Sequence, residues 1–243
     1  MVSLATADAP QVATYTLDRK SSLIFYQRMT KAEARAITGG LSAPGKMPGP
    51  AWSISARRCR IGGQLQDIPG TVCNNCYALK GRYPFPNVQA AQERRLAALD
   101  HPDWVPAMVR DIGAEPYFRW FDSGDLQHER MLSLIVAVVR ATPGTRHWLP
   151  TRETGILNRW LDKFGPFPDN LTVRVSCNWI DGGIRNLGNL GPGRQLPASV
   201  VSTGAREYPE ALECPANHRT PRQCLDCRAC WDSSVQLIAY GAH

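Results

Sequence analysis

"PYFRWFDSGDLQHERMLSLIVAVVRATPGTRHWLPTRE", residues 116–153, decides the fold. It opens on an aromatic, β-leaning run, Tyr117 to Trp120, that stops in the turn "DSGD". "QHERMLSLIVAVVRAT" follows, with the length and apolar content of a helix, and Pro143 closes it. "TRHWLPTRE" is again β-leaning, with polar residues gathered at its end. Strand, helix, strand in this order predicts a right-handed βαβ unit with parallel strands.

The pattern repeats outward. "GILNRWLDKFG" (155–165) reads as a helix and "NLTVRVSCNW" (170–179) as a strand with alternating valines. A glycine-rich loop (181–193) leads to "ASVVSTG" (198–204), a last short strand. Upstream, "AWSISARRC" (51–59) alternates and is expected to deliver Cys59 at a strand end. "NVQAAQERRLAALDHPDWVPAMVRDI" (87–112) reads as one helix capped by Asn87, with Val88, Ala91, Leu96 and Leu99 on its apolar face. "DRKSSLIFYQRMTKAEARAIT" (18–38) predicts a short strand and a helix closed by Gly39 and Gly40. Residues 1–17 read as a tail or edge strand, 41–50 as a Pro/Gly connector, and 207–232 as irregular. The expected class is α/β. A partial or small (β/α) barrel with a mostly parallel sheet is favoured over a doubly wound sheet, since four or five units do not close an eightfold barrel. Residues 1–206 form the β/α domain, and 207–243 form a cysteine-rich segment packed on it. In either fold, function gathers at the carboxyl ends of the strands, where Cys59, "DSGD", "PTRE" and "SCN" fall.

The chain has 243 residues, 43% of them hydrophobic, enough for one substantial core. The longest apolar run, "LSLIVAVV" from Leu132, is far shorter than a membrane span, so no membrane partner is expected. The opening residues lack a basic segment followed by an apolar run, which predicts no secretory signal and a cytoplasmic address. In a reducing compartment, eight cysteines point to metal or redox chemistry before disulfides. The net charge is +7, and five of the 28 basic residues are lysine. Arginine suits phosphate and carboxylate, but no long basic run exists and nucleic acid is only weakly signalled.

Seven cysteines form two groups. Cys59, Cys73 and Cys76 make the first; Cys214, Cys224, Cys227 and Cys230 make the second. Four thiolates suit tetrahedral zinc or an iron–sulfur cluster, and the C-x2-C-x2-C run matches a cluster loop better than a zinc knuckle. The three thiolates of the first group would leave one iron of a four-iron cluster open to a small molecule. Convergence of both groups on one cluster is the alternative. Cys177 reads as a small core residue, and His128 and His147 as structural or solvent-facing, with a place beside a cluster as the alternative. Arg57, Arg58 and Arg60 flank Cys59, where they would offset negative charge or simply face solvent.

"CYALKGRYPFPNVQ" (76–89), "FRWFDSGDL" (118–126), "HWLPTRE" (147–153) and the closing "CP…C..C..CW" (214–231) resemble, in that order, the bacteriophage gene-product-eighty-eight family. The resemblance spans residues 46–232. The family is similar to radical S-adenosylmethionine (SAM) proteins, so the resemblance implies a phage-encoded iron–sulfur protein in the host cytoplasm. It implies one or two [4Fe-4S] clusters, SAM as a second cofactor, and a small molecule or electron donor as partner. Cys59, Cys73 and Cys76 correspond to the three-cysteine loop after the first strand. Ser123, Gly124 and Asp125 correspond to the turn that holds the SAM amino group, and Arg152 would meet a carboxylate. The sequence departs from that pattern in two ways: thirteen residues separate Cys59 from Cys73, and the aromatic Tyr77 follows the last cysteine. The competing readings are a zinc-stabilised module for nucleic acid or a host protein, and a thiol oxidoreductase using Cys73 and Cys76.

Overall fold

The computed structural model describes residues 29–182, 190–191, 194–204 and 208–242. The expected tail or edge strand at 1–17, the short strand before residue 29 and most of the glycine-rich loop lie outside them.

Seven strands form one sheet: β1 (Ala51–Trp52), β2 (Tyr117–Trp120), β3 (Arg146–Thr151), β4 (Leu171–Ile180), β5 (Ala198–Ser202), β6 (Leu212–Glu213) and β7 (Leu237–Gly241). Their spatial order is β1-β2-β3-β4-β5-β7-β6, and every pairing is parallel. The first five strands are neighbours in chain order. A doubly wound sheet would reverse direction at a switch point near its middle; here β1 to β5 advance in one direction and only the last strand, β7, steps back between β5 and β6, so the open sheet is that of a partial β/α barrel.

Six α-helices occur among the described residues: α1 (Lys31–Thr38), α2 (Ile61–Gln64), α3 (Pro86–Ala98), α4 (Trp104–Ile112), α5 (Glu129–Ala141) and α6 (Thr154–Phe164). In α1 a capping box joins Thr30 and Glu33, and Gly39 closes the helix in the left-handed region at φ 77°. No helix of the described residues is long and apolar enough to cross a membrane.

Strand residues alternate between two faces. Phe118 and Trp120 of β2, Leu149 of β3, and Leu171, Val173 and Val175 of β4 join one core with α4, α5 and α6. Trp52 is the aromatic centre, with its ring 5.6 Å from Trp104 and 6.2 Å from Trp120. The intervening residues Tyr117, Arg119, Trp148, Thr172 and Arg174 therefore point to the opposite face.

Four local expectations need correction. The 87–112 run is two helices, broken around His101 and Pro102, because proline cannot donate the bond that would continue α3. Phe85, not Asn87, occupies the N-cap of α3, with Pro86 pre-set for the first helical position. β1 is two residues long, and a 3-10 turn (Ala56–Arg58) intervenes before Cys59. The cysteine-rich tail is not wholly irregular: Leu212–Glu213 forms β6, and the chain ends in β7, inserted between β5 and β6.

Candidate functional site

The thiols fall into two neighbourhoods. Cys59 and Cys73 stand together on a loop anchored at the ends of β3 and β4, where Ile61 bonds Glu153 and Val72 bonds the Asn178 carbonyl. A Cβ on Gly62 would lie 3.1 Å from the Cys59 Cβ, 3.3 Å from the Cys73 Sγ and 3.7 Å from the Cys59 Sγ, so glycine leaves room for both thiols. Cys59, Cys73 and Cys76 lie close enough that negative charge on one disfavours charge on the next. Burial pushes the Cys59 thiol far up, and nearby Asp125 adds to the shift. Burial also raises Cys73, against the pull of the Arg152 guanidinium. Cys59 and Cys73 are thus held as neutral thiols.

The end of β3 holds this loop, and the turn after β2 is tied to the same strand end. Glu153, after β3, accepts the Ile61 N–H at 2.9 Å on Oε1. Asp125 accepts the N–H of Leu126 at 2.7 Å and of Arg152 at 2.9 Å, together with the Thr151 hydroxyl. Burial nonetheless raises the Asp125 carboxyl to about 6, with those hydrogen bonds opposing. Asp125 does not cap the helix that follows; the N-cap of α5 is His128, whose Nδ1 accepts the Met131 N–H at 3.1 Å. The turn before it is tightly built. Phe121 has φ 58°, and a Cβ on Gly124 (φ 79°) would lie 2.4 Å from the Ile54 Cγ1. Ser123 Oγ is buried without a hydrogen-bond partner. Arg152 donates from Nε to the Cys177 carbonyl at 3.2 Å. Ser123, Gly124, Asp125 and Arg152 are thus gathered around the Cys59 loop. Cys177 is packed with Val200 and Leu237, as a core residue should be.

The second neighbourhood lies on the opposite face of the sheet. Cys214 donates its N–H to Ala239 O at 2.8 Å beside β7, and Cys224 donates to Lys46 O at 2.9 Å in the Pro/Gly connector. Cys230 Sγ is 3.1 Å from the Tyr240 hydroxyl. Charge on Cys227 would be felt at both Cys214 and Cys224, and charge on Cys214 at Cys230. Burial raises all three of these thiols, Cys230 to about 11, while Tyr240, Arg174 and Arg119 pull Cys230 down. Trp231 seats the segment: its Nε1 donates to Phe118 O at 2.8 Å, and its carbonyl accepts from Thr172 Oγ1 at 2.9 Å.

Arg174 is fully buried, and its two terminal nitrogens donate to the carbonyls of Ala198, Val235, Ala229 and Asp232 at 2.9–3.2 Å. Its Nε and the Trp148 Nε1 are buried without acceptors. Arg119 stacks over Trp148 at 4.4 Å. Neither arginine forms an ion pair among the described residues. The sequence reading missed both, although "FRW" and "VRV" carried the signal: an arginine between large apolar residues of a parallel strand has no solvent face to reach. It also missed Glu153, Gly62 and Tyr240. Among the described residues, no group of three or more His, Cys, Asp or Glu side chains closes tightly enough to hold a single metal ion.

A model of the family described as Gene product 88 matches residues 27–233. The chain belongs to the Gene product 88 family. The family resemblance seen in the motifs is therefore borne out, and the matched span contains all seven clustered cysteines, Asp125, Arg152 and Glu153. β7 and Tyr240 lie beyond it. No curated protein and no solved structure matches the chain.

Proposed function

We propose that this member of the Gene product 88 family is an iron–sulfur protein with two thiolate centres and a redox role. The observation that carries the reading is the setting of Cys214, Cys224, Cys227 and Cys230. Four thiols share one face with Arg174, a fully buried cation without an ion-pair partner among the described residues, and with half-buried Arg119, whose charge the nearby Asp122 carboxylate also favours. A buried cation is expensive unless something negative answers it. Four metal-bound thiolates supply that charge, and the unpartnered Arg174 and Trp148 donors suit sulfur acceptors. A cluster also keeps its thiolates farther apart than one tetrahedral ion does, which suits thiols that are neighbours without converging on a point.

The first group would hold a cluster through Cys59, Cys73 and Cys76 and leave one iron open. A bound cluster would supply one-electron chemistry at that position. The chain's own residues do the rest. Gly62 makes room for the thiols, and Glu153 fixes the loop. Asp125 and Arg152 offer an acceptor and a cation to a ligand bearing an amine and a carboxylate, for which SAM is the proposed candidate.

Anaerobic purification with iron, sulfide and zinc counts tests the reading. A brown protein with acid-labile sulfide is expected, with about eight irons if both groups hold four-iron clusters. A colourless protein with stoichiometric zinc overturns it in favour of a zinc-stabilised binding module. Release of 5′-deoxyadenosine from SAM under reducing conditions decides the radical role; without it, and without a SAM effect on the cluster spectrum, that role falls.

A further inference from the structure

The loop that carries Cys59, Cys73 and Cys76 is ringed by charge and aromatic surface that neither thiol group uses. Between Ser55 and Phe85 the sequence has five basic residues and one acidic residue, Asp67. They are too dispersed to read as a basic run, but the fold gathers them on one loop system over the carboxyl ends of the strands. Arg58 is taken by Glu93 at 2.9 Å. Arg57, Arg60, Lys80 and Arg82 are exposed and form no ion pair among the described residues. Arg60 gives one N–H to the Gln127 carbonyl at 3.0 Å, which fixes its position without neutralising it.

Along the chain Tyr77 and Phe85 bracket Lys80 and Arg82, and Trp179 lies against Thr71 of the same loop. Phe85 is 53% exposed, Tyr77 43% and Trp179 39%. Tyr77 is tethered by its hydroxyl, which donates to the Asp122 carbonyl at 2.6 Å, so its ring is presented rigidly. Trp179, near the end of β4, forms a bridge with Thr71 that sets it against the thiol loop. Large exposed rings interleaved with unpaired cations are what a single strand of nucleic acid needs: cations for phosphates and flat faces for unstacked bases. A duplex hides its base faces. An acidic peptide would answer the cations but leave the rings without planar partners. The pI near 9.1 agrees with a polyanionic partner.

We propose that this rim binds single-stranded nucleic acid, so that the substrate delivered to the first thiol site is a polynucleotide strand. The second half of that statement rests on the first group being a working centre; strand binding itself does not.

Fluorescence anisotropy with labelled oligothymidylate, on the protein as purified, tests it. Saturable binding is expected that weakens as salt rises from about 50 to 200 mM. R57Q with R82Q should lower the log–log salt slope by about one per cation removed. F85A and W179A should each weaken binding about tenfold with the slope unchanged. Phe85 is more than half exposed, so F85A leaves the fold intact and the test decisive. Absence of saturable binding overturns the proposal. So does equal affinity for the matching duplex, or displacement by polyglutamate of matched charge as effective as by the oligonucleotide. A protein without iron that still binds the strand sinks the cluster reading alone; an iron-loaded protein that does not bind sinks this one alone.

Discussion

Glu153 Oε1 accepts the Ile61 N–H at 2.9 Å, so the carboxyl end of β3 holds the turn that follows Cys59. The two residues are 92 positions apart, and Glu153 is buried. Glu153→Gln keeps an acceptor oxygen; Glu153→Ala leaves a part-buried N–H unanswered, which costs about 1–3 kcal/mol. Glu153→Ala is therefore expected to free the loop and expose Cys59. Alkylation read by mass spectrometry should show Cys59 labelled several-fold faster in Glu153→Ala and unchanged in Glu153→Gln, with Cys230 unaffected in both.

Gly62 makes a second test of the same loop. Its missing Cβ would sit 3.3 Å from the Cys73 Sγ and 3.1 Å from the Cys59 Cβ. A methyl group there must push one thiol aside. Gly62→Ala should cost about 1–3 kcal/mol by overpacking, seen as a lower melting temperature with unchanged far-ultraviolet circular dichroism. Iron content should fall by the share of the first group while the second group keeps its metal. Equal loss from both groups would mean that the two neighbourhoods do not load independently.

Most of the scaffold was legible because it is local. Residues 116–153 carry strand, turn, helix and strand in one continuous stretch, and each boundary has a chemical marker, such as Pro143 after α5. What was not legible depends on residues far apart in sequence. "LIAYG" pairs in register with "ASVVS" across more than thirty intervening residues, and nothing local marks it as a sheet strand. The face assigned to α3 held only in part: Leu99 lies in the core and Leu96 packs against it, while Val88 and Ala91 do not join it. Gln92 and Arg95 are the buried residues of the helix itself, because Arg95 Nε reaches the Gly40 carbonyl at 2.6 Å, a contact that only the folded connector creates. At the site, cysteine spacing showed the donor groups. Which cations and carboxylates answer them was settled by strand alternation and by the placement of the tail.

His147 gives the fold a specific acid sensitivity. It is fully buried between the Phe118 and Trp120 rings and Thr142, whose hydroxyl lies 2.8 Å from Nε2. Burial pushes it down to about 3 from an ordinary value near 6.5. The unfolded chain therefore takes up a proton between about pH 6.5 and 3 that the folded chain refuses. Stability from this group is complete above pH 6.5 and falls by about 1.4 kcal/mol per pH unit across that window. Urea unfolding at pH 7, 6 and 5 should show this slope in the wild type. His147→Gln should flatten it by close to one proton, though it will be less stable at pH 7 through imperfect packing.

Arg174 should prove the keystone of the second thiol group. Its guanidinium joins four carbonyls from β5 and the cysteine-rich segment, and it lies fully buried on the sheet face that segment covers. Arg174→Met matches its length but leaves those carbonyls without donors and the thiolates without their cation. A loss of about 3–5 kcal/mol is expected, as for one partner removed from a buried charged network. Arg174→Lys keeps the charge but cannot span four acceptors with one ammonium, so it should rescue only in part. The informative measurement is metal content after gentle chelation. Cys214, Cys224, Cys227 and Cys230 should lose metal first in Arg174→Met, later in Arg174→Lys and last in the wild type. If all three release metal at the same rate, Arg174 holds the backbone and does not answer the charge of the centre.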